Sequence, residues 1–398
     1  MNNISNEELI RYRNDTTGSA GVAHFNNAGS SLPPDTVVDT VVDYLREEAL
    51  NGGYETEAKH IERINGVYRL IAELIGAEKE EIAIFENASA AWQTAFKGLS
   101  FAEGDEIVTS ELEYVANLIG LADIQKQGIK VIVINNDEQG NFPLNQLEET
   151  INAKTKLIAV THIASSGGGM LPIAEIGKVA NRHQVLFLVD ACQTAGQFPI
   201  DVKAIGCDML SATGRKYLRA PRGTGFLFVK KEVQNQLVPL LTDLFAAANV
   251  SLQGYTLRND ARRFELYEKS RALTLGLGKA AAYAMGIGVD RIWQRVQYLA
   301  DYMRTALSII PGVNVHDTGS EKCGIVTFTL TGHDSMKVKN QMAANGINVS
   351  FGGQQATPLY MDNHKLQGLV RASIHYYNTE AEVDRMCTFL KEITLSKA

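Results

Sequence analysis

A lysine in a turn of small and hydroxylated residues, directly after an apolar run, is the first position here with chemical promise. In SATGRKYLRAPRGTGFLFV (211–229), Thr213, Gly214 and Arg215 set a hydroxyl, an open backbone and a cation beside Lys216. Those groups suit a phosphate, and the amine suits a carbonyl with which it can condense. A lysine that condenses near neutral pH must be partly desolvated or stand beside another cation. Arg215 offers that cation. Taken alone, Lys216 would read as a solvated loop charge, but a second segment changes the balance. In VLFLVDACQTAG (185–196), Asp190 closes a fully apolar run. It therefore projects from the carboxyl edge of a sheet, where open α/β sheets bind ligands. The plainer role for Asp190 is a helix N-cap. Beside a strand-end lysine it suits a carboxylate facing a pyridine nitrogen, which keeps such a ring protonated and makes it an electron sink. Gln193 stands ready for a ring hydroxyl.

These residues need a sheet to hold them, and the sequence supplies one. Short β-branched runs recur at 81–85, 106–110, 130–134, 156–163, 185–189, 209–213 and 225–229, with amphipathic stretches at 114–126, 144–152 and 174–182 between them. Continuous apolar strands separated by helices predict an α/β fold whose largely parallel sheet is covered on both faces. Two helices precede it, one over Val37–Leu45 after the start signals Pro34 and Asp35, the other over 61–76. Past residue 230 comes a long helical segment (about 270–310), then strands at 324–330 and 370–374 and a closing helix at 379–393. The pattern predicts a large domain over 22–270 and a smaller α+β domain made of 1–21 and 271–398. No internal repeat or low-complexity linker interrupts it.

A chain of 398 residues with 45% apolar and 21% charged residues has an ordinary globular balance. The formal net charge of -7 provides no basic face, so neither nucleic acid nor an anionic membrane is expected as a partner. No apolar run nears the ~20 residues that span a bilayer. The polar start MNNISNEELIRYRND lacks the apolar core of a secretory signal. Cys192, Cys207, Cys323 and Cys387 are scattered, form no CxxC pair and predict no metal site or disulfide framework, so a reduced, cytoplasmic setting is expected. The one GxGxx-like text, GLGKAA (276–281), follows no strand and lies in a helical stretch, which argues against a nicotinamide enzyme.

Asp190-Ala-Cys-Gln193 and Thr213-Gly-Arg-Lys216 together resemble the signature of the class-V aminotransferase and cysteine desulfurase family. The resemblance runs over nearly the whole chain. It implies a fold-type-I enzyme with a mostly parallel seven-stranded sheet and pyridoxal 5'-phosphate (PLP) as a Schiff base on Lys216. By the same resemblance Asn87, Ala88 and Ser89 cradle the phosphate on a strand-to-helix turn, where free amides and the helix dipole favour an anion. Tyr114 stacks on the ring, with a catalytic role beside Lys216 and Asp190. His162 and Ser165 lie beneath the cofactor, and Gln193, Thr213 and Arg215 complete its contacts. Arg371, in GLVRASIHYYNTEAEVDRM (368–386), corresponds to the arginine that holds the substrate α-carboxylate, a group its planar fork binds bidentately. Asn27, Tyr54 and Gln355 join it as implied substrate contacts. The family's homodimeric habit implies active sites at the subunit interface, with 262–270 reaching the partner's phosphate and Glu268 standing where a small polar residue is usual.

Where the resemblance departs, it steers the expected chemistry. Cysteine desulfurases carry a nucleophilic cysteine on a loop that here reads VSFGGQQATPLY (349–360), with Gln355 at that position and no cysteine within 25 residues of it. Without that thiolate there is no acceptor for a persulfide. NGGYETEA (51–58), Ala164-Ser165, Tyr114 and the run RKYLRAPRGTG (215–225) are similar to hercynylcysteine sulfoxide lyases. Arg219 and Arg222 read either as cations for a polar substrate or as solvated loop charges. The expectation is therefore a PLP-dependent C–S lyase that eliminates sulfur from a cysteine-derived amino acid, releasing pyruvate and ammonia. An aminotransferase or an epimerase stays open, and persulfide-forming desulfuration is disfavoured. A catalytically inert binding protein is not expected with Lys216, Asp190 and Arg371 all present.

Overall fold

The computed structural model describes residues 4–395. Met1–Asn3 and Ser396–Ala398, which the sequence reading assigns to the smaller domain, lie outside the described residues. Seven strands form the main sheet in the spatial order 82–85, 225–229, 209–213, 186–190, 155–161, 106–110, 130–134. Gly225–Val229 runs antiparallel to both its neighbours, and the other pairings are parallel. Side chains alternate between two apolar layers. Ile158 and Val160 enter one with Phe187 and Val189, while Leu157 and Ala159 enter the other with Leu188. Both faces are thus buried, which is why these strands read as unbroken apolar runs. The seven-stranded fold-type-I expectation holds.

A second sheet, in the order 313–315, 325–330, 369–373, 350–352, is antiparallel throughout. Its core is shared with the helices Val289–Ser308, Ser335–Ala344 and Glu380–Leu395. The long helical segment expected at 270–310 is two helices, Arg271–Ile287 and Val289–Ser308, bent by 77° at Gly288. Gly288 has φ +93°, which a right-handed helix cannot continue. The first helix buries Ala272, Leu275 and Ala281 with Val67 and Ile71 of the helix Gly53–Ile75, in the core of the large sheet. Along this elbow the core changes between Val296 and Leu299, beyond the boundary drawn at residue 271 from sequence. Among the described residues, no single helix is long and apolar enough to cross a membrane.

The topology gathers the carboxyl ends of six strands on one edge. Phe85, Ser110, Ile134, Thr161, Asp190 and Thr213 end there, and the turns that follow them meet. Two glycines permit the approach. A Cβ on Gly225 would lie 2.8 Å from the Ala212 carbonyl oxygen and 3.0 Å from the Ala88 nitrogen. Gly196, at φ +96°, lets the turn after Asp190 press on the backbone of Tyr217 and Leu218, beside Lys216.

Candidate active site

A pocket opens on this edge, lined by Asn87–Ser89, Tyr114, Asp190, Gln193, Thr213, Arg215 and Lys216 among others. Asn87 caps the helix Ala88–Gly98, its side-chain oxygen accepting from the Ala90 amide at 2.8 Å. The first turn of that helix, with Ala88 and Ser89, faces the pocket. Helix N-termini attract anions through their unpaired amides and dipole.

Lys216 is 7% exposed, and its Nζ stands 5.7 Å from the Tyr114 ring centroid. Burial lowers its ammonium pKa below the lysine range, with Arg215 and Arg371 adding to the effect against Cys192 and Asp190. Such an amine is unprotonated over more of the neutral range than a solvated one, and so more available to act as nucleophile or base. Asp190 closes its strand with both oxygens engaged. Oδ1 accepts from the Cys192 amide at 2.8 Å and Oδ2 from Asn117 Nδ2 at 2.9 Å. Gln193 donates through Nε2 to the Ala28 carbonyl and, at 3.4 Å, to Ser165 Oγ. Its Oε1 is buried with no hydrogen-bond partner among the described residues. Arg371 is buried, donates through Nη1 to the Ser165 carbonyl at 2.9 Å, and keeps Nε unpaired among the described residues. Arg215 bonds the Gly29 carbonyl, and Thr213 the Thr224 carbonyl.

Several sequence expectations meet different surroundings. Thr161 and Ile163 line the pocket, so His162 between them turns to the other side, as strand alternation requires. Its Nδ1 pairs with Thr194 Oγ1 at 2.9 Å, its ring packs edge-on to Phe198, and burial draws its pKa down to about 3. His162 is thus packed against Thr194 and Phe198 and is not among the residues lining the pocket. Asn27 is fully buried, donating to the His24 and Ser373 carbonyls and accepting from the Tyr377 hydroxyl at 2.5 Å, so nothing of it is left for substrate. Tyr54 is 69% exposed and lies with Glu57, Tyr267 and Glu268 in a separate surface cleft. Gln355 is exposed on the loop whose Ala356 carbonyl accepts from the Val115 amide, next to Tyr114. Arg222 is a solvated loop charge, but Arg219 is neither alternative. It is buried, bonded to Leu32, Tyr376 and Thr16, with its guanidinium 4.5 Å from the Tyr377 ring centroid.

Two buried residues of this edge escaped the sequence reading. Glu113 accepts from the Thr161 amide at 2.5 Å and from Asn117 Nδ2 at 3.0 Å, and burial pushes its carboxyl up to about 8. Asn117 joins it to Asp190. The only local signal was a carboxylate directly before Tyr114.

The fold and this edge define a class. The aminotransferase class-V family model matches residues 23–386, and the chain belongs to that PLP-dependent enzyme family. It is 32% identical over 376 residues to a probable cysteine desulfurase of Methanothermobacter thermautotrophicus, covering 92% of this chain and 94% of that one. The apo structure of a cysteine desulfurase from Thermococcus onnurineus NA1 superposes with a TM-score of 0.91 at 28% identity, over 96% of this chain and 97% of that one. The fold is also that of C-DES, solved with glycine covalently linked to its PLP cofactor (TM-score 0.87, 21% identity, 96% and 99% covered). These relatives correct the expected chemistry. Proteins this similar along their whole length are named cysteine desulfurases, which overturns both the elimination to pyruvate and ammonia and the setting aside of desulfuration.

The residues present fit PLP. The orphaned Gln193 Oε1 offers an acceptor to a ring hydroxyl, the first turn of Ala88–Gly98 suits a phosphate, and the desolvated Lys216 amine suits an aldehyde.

Proposed function

We propose that this enzyme removes sulfur from cysteine and leaves alanine, with Lys216 as cofactor anchor and proton carrier. The observation that carries the reading is the convergence of Lys216, Asp190 and Gln193 on one pocket, with Arg371 bonded to Ser165 of its lining, in a chain so similar to cysteine desulfurases. PLP, when bound, supplies an electron sink that loosens bonds at the substrate's Cα. Asn87, Ala88, Ser89, Thr213 and Arg215 would hold its phosphate end, Tyr114 and Ser165 its ring, Gln193 its hydroxyl and Asp190 its ring nitrogen. Arg371 turns unpaired donors to the amino acid's carboxylate and fixes which Cα bond faces Lys216. The Lys216 amine, kept available in its neutral form by desolvation and held close, takes the Cα proton and returns a proton to carbon as alanine forms.

Sulfur needs a nucleophile to receive it. Cys192 lines the pocket, but burial and the adjoining Asp190 raise its thiol pKa well above the ordinary range, so it is a poor thiolate. The loop at 349–360 brings Gln355 where desulfurases bring a thiol. The acceptor is accordingly a thiol from outside this chain, and the balance is cysteine plus thiol giving alanine plus the acceptor's persulfide. We further infer a homodimer in which the exposed Tyr54 and the segment 262–270 of one protomer approach the other's pocket. A reducing, cytoplasmic setting goes with four free cysteines.

The test is to incubate the purified PLP-loaded protein with cysteine and dithiothreitol. Alanine and sulfide should appear in equal amounts without a keto acid. Pyruvate in place of alanine, or turnover that depends on a keto-acid acceptor, would overturn the proposal.

A further inference from the structure

We propose that Glu113 and Asn117 are positioning residues that aim the Asp190 carboxylate at the ligand in the pocket. The geometry is a bridge through one nitrogen. Asn117 Nδ2 lies 3.0 Å from Glu113 Oε2 and 2.9 Å from Asp190 Oδ2, so a single amide ties the two carboxyl groups together. All three side chains are buried. With Thr161 they draw on three neighbouring strand ends and one helix. Glu113 and Asn117 flank the start of the helix Val115–Gln125, after Glu106–Ser110. Thr161, paired in register with Asp190, donates to Glu113 through its amide at 2.5 Å, and its hydroxyl oxygen lies 3.1 Å from Glu113 Oε2. Asp190 Oδ1 is held separately by the Cys192 amide. With one oxygen on backbone and the other on Asn117, the Asp190 carboxylate cannot rotate about its χ2.

The arrangement also decides where the charge sits. Two buried carboxylates joined by one amide resist simultaneous ionisation. Burial, with Asp190 adding to it, keeps Glu113 protonated up to about pH 8. As an acid, Glu113 can donate to Thr161 Oγ1 while still accepting from Asn117, because a hydroxyl does both. The negative charge of the pair then rests on Asp190, which faces the pocket. The same anchoring fixes the residue after Glu113, which is Tyr114, 5.7 Å from Lys216 Nζ. None of this is needed for the fold's apolar core, whose layers lie below this edge.

The inference rests on Asp190 serving the ring nitrogen of PLP, and the experiment separates the two claims. The visible absorption band of the Lys216-bound cofactor is titrated against pH in the wild-type protein and in Asp190→Asn, Asn117→Leu and Glu113→Ala. Asp190→Asn should move the midpoint. Asn117→Leu and Glu113→Ala should move it the same way by roughly 0.5–1 unit, the equivalent of one lost hydrogen bond. If Asp190→Asn moves the midpoint and the other two leave it at the wild-type value, the positioning role is wrong. If Asp190→Asn itself has no effect, the role of Asp190 falls and the positioning role with it. Should Glu113→Ala fail to fold, Asn117→Leu decides, since leucine fills the same space without the bridge.

Discussion

Arg371 meets the pocket with part of its fork already engaged. Nη1 is fixed on the Ser165 carbonyl, while Nε is buried and unpaired among the described residues, so a carboxylate arriving there completes a set of donors. A lysine at this position keeps the charge and loses the fork. Arg371→Lys should raise KM for cysteine roughly 10- to 100-fold with a smaller change in kcat, since a charge-assisted hydrogen bond contributes about 1.5–3 kcal/mol. Steady-state desulfuration rates check this, and an unchanged KM would remove Arg371 from the carboxylate. A second expectation concerns Glu113. Its folded pKa, about 8, stands above the unfolded carboxylate value of 4.5. The folded state therefore binds more protons between those values, and this contribution to stability is full below 4.5 and lost as pH rises towards 8. Glu113→Gln removes that titration, so the apo variant's Tm should fall less than the wild type's between pH 5 and 8. A parallel fall in calorimetric scans would count against a protonated Glu113. Lys216, Asp190 and Gln193 were legible as neighbours on one sheet edge because each ends an apolar run or stands in the turn after one, whereas Arg371, in the middle of Leu369–Ser373, was reached only through the resemblance. His162 and Asn27, also reached through the resemblance, have their polar atoms engaged by other protein groups. Glu113 and Asn117 gain meaning only when three strand ends meet, and nothing in their own text announces that meeting.

At the scale of elements, the loop beside Tyr114 is pinned from its far side. The short helix Pro358–Asn363 follows it, and Asn363 Nδ2 donates to Glu111 Oε2 at 2.6 Å and to Asn135 Oδ1 at 3.1 Å. Glu111 is buried, and hydrogen bonds from His364, Asn363 and the Asn136 amide hold its pKa below the usual value against desolvation. Asn363→Ala should release this attachment at a cost of about 1–3 kcal/mol for a buried partner left without its bond. Amide exchange over 353–364 should quicken while the strands of the main sheet keep their protection. Equal acceleration in both would mean that the loop opens only with the whole domain. The strands of the main sheet were legible to within about a residue, because burial on both faces leaves a long apolar text. The elbow at Gly288 was not, since both of its helices carry helical periodicity and one glycine within it reads as tolerated. The hairpin of 247–251 and 254–257 was missed for the opposite reason. Nearly all of its side chains are exposed, so no alternation of apolar and polar residues marks it.

For the whole molecule, Arg219 explains how distant segments of one chain come to frame one pocket. Six residues after the strand Met209–Thr213, Arg219 adopts the left-handed conformation at φ +62°, rare for a side chain of its size. Its guanidinium binds Thr16 near the N-terminus, the Leu32 carbonyl and the Tyr376 hydroxyl near the C-terminus, so the lysine turn is fastened to both ends. That closure leaves a different surface unsatisfied. Leu241, Leu244, Val250, Leu252 and Tyr255 are exposed on and beside the hairpin, and Leu252 has no neighbour covering it at all. Exposed apolar side chains grouped along one stretch of chain are candidates for an interface, and a second copy of the chain is the partner that the homodimer proposal supplies. Leu244→Asp combined with Leu252→Asp places two charges there without touching the Lys216 pocket. Sedimentation velocity should then give half the wild-type mass. If the proposed shared site holds, desulfuration should fall with it, since in that proposal Tyr54 and residues 262–270 reach the pocket from the neighbouring protomer. A wild-type protein that already sediments as a monomer with full activity would end the shared-site reading. A monomeric variant that stays fully active would keep the dimer and end only the sharing.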